Sequence, residues 1–198
     1  MTASLLPTAY GCVVADPPWP INWTTPRTRV NGRGERHVNQ TTRLTYKTMT
    51  VDAIAALGVP AAVLPDAWLF LWSTDRFVID GSASRVARAW GFDVRRFLVW
   101  AKSGMSLGTF PRPQHELCLV CTRGKPQHLR RNVGSVMSGK LVYEKRGRSH
   151  ARKHSAKPDC FFSMVRESVP GPFLEMFARV ARPGWDGWGD EYPGGSAS

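Results

Sequence analysis

The sequence predicts an α/β protein with a single sheet that carries helices on both faces. Short apolar runs of strand length alternate along the chain with segments that contain helix-starting and helix-ending residues. These runs are too uniformly apolar to leave one face in water, which is typical of strands covered on both sides. A length of 198 residues suits one domain, and we therefore expect residues 1–198 to form a single unit.

The first strand is predicted at 12–15, and the turn after it sets the position of a carboxylate. Pro17 and Pro18 cannot donate to a sheet ladder, so the strand must stop at Asp16. Ligands of open α/β sheets bind at the carboxyl ends of strands, which makes Asp16 a candidate site residue. The prolines fix a stiff turn whose carbonyls are expected to be free acceptors, and Trp19 adds a flat surface. This set suits a planar base that carries an exocyclic amino group.

The remaining elements are predicted from apolar runs and from capping residues. Four further strands are predicted, at 67–73, 97–101, 117–121 and 173–179. Three helices are predicted, from the N-cap Thr50 to Gly58, over 75–90, and from Lys157 or Asp159 to just before Pro170.

Two segments hold the entire excess of positive charge. The net charge is +12, to which residues 22–47 contribute +5 and residues 125–157 contribute +9. Their polar, aperiodic composition predicts two loop insertions, and basic blocks of this kind are typical of surfaces that contact nucleic acid phosphates. The alternative is a pair of solvated loops. We also expect 192–198 to be a flexible tail. The candidate substrate-binding residues are Trp23, Tyr46, Arg146, Arg148, Arg152 and Lys153.

Membrane, metal and phosphate-loop sites are not predicted. No stretch approaches the ~18 consecutive apolar residues of a membrane span, and the N-terminal residues lack the charged start of a signal peptide. We therefore expect a cytoplasmic protein with reduced cysteines. His115, Cys118 and Cys121 have a spacing of three on a predicted strand, so their side chains cannot converge on a metal ion. The G-x-G-x-x-G and phosphate-loop motifs are absent from the sequence.

The residues 16–19 form a D-P-P-W tetrapeptide, which resembles the motif of the S-adenosylmethionine-dependent adenine-N6 methyltransferases. That family includes the messenger-RNA adenine methyltransferase and its bacterial and phage DNA relatives. The tetrapeptide precedes the cofactor half of the chain, as it does in the permuted members of the family. The resemblance covers most of 12–191 apart from the two basic segments. The other matching stretches are Leu69–Trp72, His115–Val120, Ser155–Pro158, Leu174–Arg179 and Gly189–Glu191.

The resemblance implies a Rossmann-like methyltransferase sheet and a catalytic role for the tetrapeptide. The target adenine would leave the nucleic acid helix and enter the site by base flipping. The Asp16 carboxylate and the Pro17 carbonyl would each accept a hydrogen of its amino group. Trp19 would stack on the flipped base, with a second wall from Trp23 or Tyr46. The catalytic residues implied are Asp16, Pro17, Pro18 and Trp19.

The resemblance also implies S-adenosyl-L-methionine as the cofactor. Lys157 would pair with its methionine carboxylate, and Asp190 or Glu191 would accept the ribose hydroxyls. Glu175 and Arg179 project from one strand end and could hold the ribose and amino-acid groups. The cofactor-binding residues implied are Lys157, Glu175, Phe177, Arg179, Asp190 and Glu191.

The predicted function is methyl transfer to N6 of adenine in DNA. The D-P-P-W form resembles the adenine-specific branch of the family, and the basic segments give the chain its own phosphate contacts. The expected partner is nucleic acid, with DNA favoured, and we expect a monomer or homodimer without an obligate partner subunit. Three alternatives stay open: an RNA adenine-N6 methyltransferase, a DNA cytosine-N4 methyltransferase, and a catalytically silent nucleic-acid-binding homologue.

Overall fold

The computed structural model describes residues 9–21, 27–30, 36–39, 47–105, 110–139, 143–146, 149–152 and 157–193. Its strands are β1 (Tyr10–Ala15), β2 (Arg27–Val30), β3 (Arg36–Asn39), β4 (Val63–Ser73), β5 (Asp93–Lys102), β6 (His115–Arg123), β7 (Val136–Gly139), β8 (Tyr143–Arg146), β9 (Ser149–Arg152), β10 (Phe173–Met176) and β11 (Asp186–Trp188). Its helices are α1 (Val51–Ala55), α2 (Val59–Ala62), α3 (Asp75–Ile79), α4 (Ser82–Ala89) and α5 (Asp159–Ser168). None of the helices in these ranges has the length and apolarity needed to span a membrane.

Seven strands form the main sheet, in the spatial order β11-β10-β1-β4-β6-β5-β7. β1 pairs in parallel with β10 on one side and with β4 on the other, and β10 pairs in parallel with β11. β6 runs antiparallel to both β4 and β5, so the sheet is mixed. The carboxyl ends of β1, β4, β5, β10 and β11 therefore lie at one edge, together with the start of β6. We call this the upper edge.

The two faces of the sheet are covered by different helices. Neighbouring residues of a strand point to opposite faces, and β1 is buried on both. Val13 belongs to a core that includes Ile54 of α1 and buried residues of α3 and α4. Val14 belongs to the opposite core, which includes Phe161 of α5. The prediction of one α/β sheet with helices on both faces is confirmed.

Most of the predicted elements are found, and several strands extend beyond their apolar runs. β1 ends at Ala15, immediately before Asp16, as the two prolines require. Thr50 is the N-cap of α1, and its hydroxyl accepts a hydrogen bond from the Ala53 amide at 3.1 Å. β4, β5 and β6 contain the predicted runs and add polar residues at their ends, because ladder hydrogen bonds require only backbone groups.

Three predicted boundaries are wrong, and backbone conformation explains two of them. The helix predicted over 75–90 is two helices, because Gly81 has a left-handed φ of 79° and separates α3 from α4. The last predicted strand ends at Met176, since Phe177 has a φ of 61° and cannot continue the ladder. Gly58 is the N-cap of α2 rather than the last residue of α1.

The two basic segments are not simple loops. The first contains the antiparallel pair β2–β3, and the second contains the antiparallel pair β8–β9. The second segment also supplies β7, which pairs with β5 and lies at one end of the main sheet. β11 is only three residues long, and it ends at Trp188, directly before the Gly189–Glu191 stretch. Most of the predicted tail, 194–198, lies outside the described residues.

Candidate active site

Four charged side chains converge at the upper edge, on the sheet face that α5 covers. Asp16 lies one alternation beyond the β1 residues that face α5, so it projects to the same side. Glu116 is the cross-strand partner of Trp100, and Lys102 follows Trp100 by one alternation, which places both on this face. Lys157 comes from the chain just before α5. Strand register therefore brings together residues that are far apart in the sequence.

These residues form one row of alternating charge, in the order Lys102, Glu116, Lys157 and Asp16, which we call the charge row. Lys157 Nζ donates to Asp16 Oδ2 at 2.7 Å and lies 3.1 Å from Glu116 Oε2. Lys102 Nζ donates to the other oxygen of Glu116, Oε1. The side chains of Lys102 and Lys157 are only 4% and 6% exposed. Such partners are needed because an unpaired charge in the protein interior is costly.

Burial and pairing change the pKa values of the charge row in different directions. Burial raises the pKa of Asp16, and Lys157 offsets only part of that effect. Burial acts in the same direction on Glu116, but Lys157 and Lys102 outweigh it and hold its pKa below the usual range. Burial acts to lower the pKa of Lys157, but Asp16 and Glu116 outweigh it and raise that pKa. Asp16 is therefore the carboxylate of the charge row whose pKa lies above its usual value.

Indole rings lie beside the charge row. Lys102 Nζ is 4.9 Å from the centroid of the Trp100 ring, and Lys157 Nζ is 5.2 Å from that of Trp72. The two indoles contact each other edge to face, with centroids 6.3 Å apart. Both ammonium groups thus gain cation–π contacts in addition to their ion pairs. The rings also exclude water, and charges in such surroundings interact more strongly than in solvent.

Trp19 does not have the position expected of a base-stacking residue. Its side chain is 3% exposed and stacks on Phe77, with centroids 5.0 Å apart and ring planes 21° apart. Its Nε1 donates to the Trp72 carbonyl at 2.9 Å. Trp19 packs in the core on the face opposite to the charge row, because the turn directs it away from Asp16. The expectation is corrected: Trp19 anchors the D-P-P-W turn to β4 and α3.

The carbonyls of the proline turn are already hydrogen-bonded, which also differs from the expectation. The Pro17 carbonyl accepts from the Trp19 amide at 2.8 Å, and the Pro18 carbonyl accepts from the Met49 amide at 2.9 Å. These bonds hold the turn rigid and fix the direction of Asp16. A carbonyl oxygen has two lone pairs, so the Pro17 oxygen retains the capacity to accept one more hydrogen bond.

Most of the predicted cofactor residues lie at the same upper edge, where β10 and β11 end. Arg179 Nε is 3.5 Å from Glu191 Oε2, both side chains are partly exposed, and Asp190 is exposed. Phe177 contacts the Trp188 ring edge to face, with centroids 5.5 Å apart. Trp188 Nε1 is buried and has no hydrogen-bond partner among the residues that the structure describes. A guanidinium, two carboxylates and an unsatisfied N–H fit a ligand with hydroxyl and charged groups.

Glu175 has a partner of its own. Arg182 Nε donates to Glu175 Oε2 at 2.9 Å, and its guanidinium also contacts Asp159 at 2.6 Å. The guanidinium carbon lies 3.8 Å from the centroid of the Phe162 ring. Burial raises the pKa of Glu175, and Arg182 offsets part of that effect. Arg182 therefore connects β10 to α5 through Glu175, whose role toward the cofactor stays a prediction.

Two of the predicted substrate-binding residues lie on strands of the second basic segment. Arg146 is on β8 and Arg152 is on β9, the two strands of one antiparallel pair. Their role in binding nucleic acid stays a prediction. The residues outside the described ranges are Trp23, Tyr46, Arg148 and Lys153.

Lys102 and Glu116 were not predicted as site residues. A charged residue next to an apolar strand run was the available signal, but the pairing of β5 with β6 was needed to use it.

Within the described residues, no group of three or more His, Cys, Asp or Glu side chains could hold a metal ion. Burial raises the pKa of the Cys118 thiol, and burial raises the pKa of Cys121 to about 12.

Three relatives with known names align with nearly the whole of this chain. Over 194 residues the chain is 27% identical to the type II methyltransferase M.MunI of Mycoplasma sp, covering 93% of this chain and 78% of that protein. It is 29% identical to the Drosophila melanogaster N(6)-adenosine-methyltransferase MT-A70-like protein and 26% identical to the human N(6)-adenosine-methyltransferase catalytic subunit METTL3. Each of these two alignments covers 93% of this chain, but it covers only 27% and 28% of the relative.

The family match spans the whole region that builds the upper edge. Residues 10–191 match the MT-A70 family, from the first residue of β1 to the acidic pair after β11. The match includes the D-P-P-W turn and all four members of the charge row. MT-A70 methyltransferases use S-adenosylmethionine. The chain belongs to the MT-A70 family of adenine-N6 methyltransferases.

Proposed function

We propose that this protein transfers a methyl group from S-adenosyl-L-methionine to the N6 amino group of adenine in DNA. The observation that carries the proposal is the Asp16 carboxylate, which a buried lysine holds at 2.7 Å at the carboxyl end of β1. A carboxylate fixed in this way can accept a hydrogen bond from an exocyclic amine without rearrangement. Preorganised acceptors of this kind lower a barrier because no reorientation is needed during the reaction.

Asp16 and the Pro17 carbonyl are the two groups that we assign to the amine. Each would accept one N–H hydrogen, which draws the nitrogen toward tetrahedral geometry and frees its lone pair for attack. The bound cofactor supplies an electrophilic methyl group on a sulfonium. The nitrogen would form a bond to that methyl carbon as the sulfur–carbon bond breaks, which would leave a neutral thioether, and the nitrogen would release one proton. The raised pKa of Asp16 makes its carboxylate a suitable acceptor for the proton.

Lys157 and Asp190 are the residues that we assign to the ends of the cofactor. Lys157 is the ammonium nearest to Asp16, so a carboxylate bound to it would place the methyl donor beside the amine. Asp190 is exposed at the end of β11 and can accept from ribose hydroxyls. Glu191 is within 3.5 Å of Arg179, which makes it a weaker candidate for the ribose.

DNA is proposed as the substrate on two grounds. One relative of the chain, M.MunI, is a type II methyltransferase, and the alignment covers 93% of this chain. The two basic segments would also supply phosphate contacts within the same chain. The identities to both kinds of relative are similar, so RNA is the alternative that the experiment must test.

The test is incubation with methyl-labelled S-adenosyl-L-methionine and matched duplex DNA, single-stranded DNA and RNA, followed by nucleoside analysis. The expected product is N6-methyladenine in DNA. Asp16→Asn should lose most of its activity, and Asp93→Asn should retain activity because Asp93 is exposed at the far end of β5. Preferential labelling of RNA would reject DNA, and N4-methylcytosine would reject adenine. Nucleic acid binding without any transfer would support the silent homologue instead.

A further inference from the structure

Lys102 is a buried lysine at the upper edge that has no role in the function proposed above. It is the last residue of β5, and its backbone amide donates to the Gln114 carbonyl at 2.7 Å. This bond extends the pairing of β5 and β6 to their ends, so the Lys102 stem is fixed beside Glu116. Lysine is rarely fully buried, because removing its charge from water is costly. The side chain nevertheless is only 4% exposed.

Glu116 divides its two carboxylate oxygens between two lysines. Lys102 contacts Oε1, and Lys157 lies 3.1 Å from Oε2. The ammonium of Lys157 is then shared between Glu116 and Asp16. With Lys102 present, the charge row contains two cations and two anions. Without Lys102, Glu116 could rotate both oxygens toward Lys157. The Lys157 ammonium would then be the one cation of the charge row, shared by the carboxylates of Glu116 and Asp16.

We propose that Lys102 is a positioning residue of the methyl-transfer site: it anchors the far oxygen of Glu116 and thereby keeps the Lys157 ammonium beside Asp16. The inference deepens the proposed function and depends on it for its kinetic consequence. In this role Lys102 acts through Glu116, with which its ammonium is paired, rather than on the reacting groups. Its effect should therefore require the Glu116 carboxylate.

The experiment compares Lys102→Met with Lys102→Arg in the full chain, each with and without Glu116→Gln. Lys102→Met keeps the apolar stem and removes the charge, so we expect kcat to fall, by up to about 100-fold if the acceptors move by about 1 Å. The acid limb of the kcat profile should move to higher pH, because Lys157 is drawn away from Asp16. Lys102→Arg should restore most of the rate. Arg88→Met, which removes an exposed arginine of α4 outside both basic segments, is the control for loss of one positive charge.

The double variant decides between positioning and simple packing. In the Glu116→Gln background, Lys102→Met should change kcat and the pH profile by less than about twofold, since sites that act as one unit are not additive. If Lys102→Met lowers kcat equally with and without Glu116→Gln, or if Lys102→Arg does not recover the rate, the proposal is overturned. If Lys102→Met alone does not fold, Glu116→Gln can still be compared with the double variant Lys102→Met/Glu116→Gln. The double variant removes both charges of the pair, so it leaves neither of them buried without its partner.

A second measurement separates this inference from the proposed function. Carbon-13 NMR of labelled carboxylates follows the titration of Asp16 without substrate or cofactor. Lys102→Met should move that titration to higher pH, and it should not do so in the Glu116→Gln background. A protein with these shifts but no methyl transfer would retain the positioning role and lose the proposed function. Unchanged titration of Asp16 in all variants would reject the positioning role whatever the activity.

Discussion

The two ends of the upper edge hold their charges in different ways. In the charge row, both lysines are almost fully buried, and contacts of 2.7 and 3.1 Å connect Lys157 to two carboxylates. At the ends of β10 and β11, Arg179 and Glu191 are 36% and 57% exposed, and their closest atoms are 3.5 Å apart. Opposite charges are thus present at both ends, but only one end is shielded from water.

The difference predicts which substitutions will have large effects. Removing one partner of a buried ion pair leaves an uncompensated charge, which lowers the free energy of unfolding by about 3–5 kcal/mol. An exposed ion pair contributes only about 0–1 kcal/mol to that free energy. The charge row should therefore respond strongly to any change of one charge. The β10–β11 end should respond weakly, because water replaces a lost partner there. Methyl transfer requires groups held in a buried, fixed position, as in the charge row. Reversible binding of a cofactor is compatible with the exposed charges at the ends of β10 and β11.

The largest effect is expected for Asp16→Asn. The amide keeps the shape of the side chain but removes the negative charge and one acceptor, so kcat should fall by about 10²–10³-fold. Affinity for S-adenosyl-L-methionine should be retained, because Lys157 keeps Glu116 as its partner. Single-turnover methylation measures the first quantity, and calorimetry measures the second. Lost cofactor affinity with an unchanged rate would reverse the assignment of Asp16.

Lys157→Met is expected to be next in size and to affect both binding and pH dependence. Loss of a charge-assisted hydrogen bond to the cofactor carboxylate costs about 1.5–3 kcal/mol, which corresponds to ~10–100-fold in Kd. Because Lys157 lowers the pKa of Asp16 against the effect of burial, its removal should move the acid limb of kcat to higher pH. Activity is lost as the pH falls through this pKa, so the variant should fail first at low pH. Arg88→Met, at an exposed position of α4 outside both basic segments, should change neither quantity.

Arg182→Met is expected to have an intermediate effect, on stability rather than on chemistry. Arg182 is 19% exposed, and it contacts Glu175 and Asp159 and lies against the Phe162 ring. Its loss would leave Glu175 partly buried without that partner, at a cost of about 1–3 kcal/mol of unfolding free energy. Urea denaturation measures the change. Arg130→Met, which removes an exposed partner of Glu167, should cost less than about 1 kcal/mol.

The same contrast explains what could be predicted from the sequence. The position of Asp16 followed from local chemistry, because two prolines must end a strand wherever it lies in the sheet. The partnership of Lys102 with Glu116 depends on the register of β5 and β6, which no local pattern specifies. Trp19 was wrongly expected to face a base because its direction depends on the turn bonds to Met49 and to β4. Phe177 was placed within a strand because its left-handed φ is not typical of phenylalanine.

The smallest effects are expected at the end of β11, and there the two neighbouring carboxylates should differ. Asp190 is exposed, whereas Glu191 contacts Arg179 at 3.5 Å. If Asp190 accepts a ribose hydroxyl, Asp190→Asn should remove a hydrogen bond of about 0.5–1.5 kcal/mol and raise the cofactor Kd by ~2–10-fold. Glu191→Gln should change it by less than about twofold, because an exposed ion pair contributes little. Calorimetric titration of both variants with S-adenosyl-L-methionine measures the difference. A larger effect for Glu191→Gln would show that the cofactor displaces Arg179 from Glu191, and the β10–β11 end would then rearrange on binding while the charge row stays fixed.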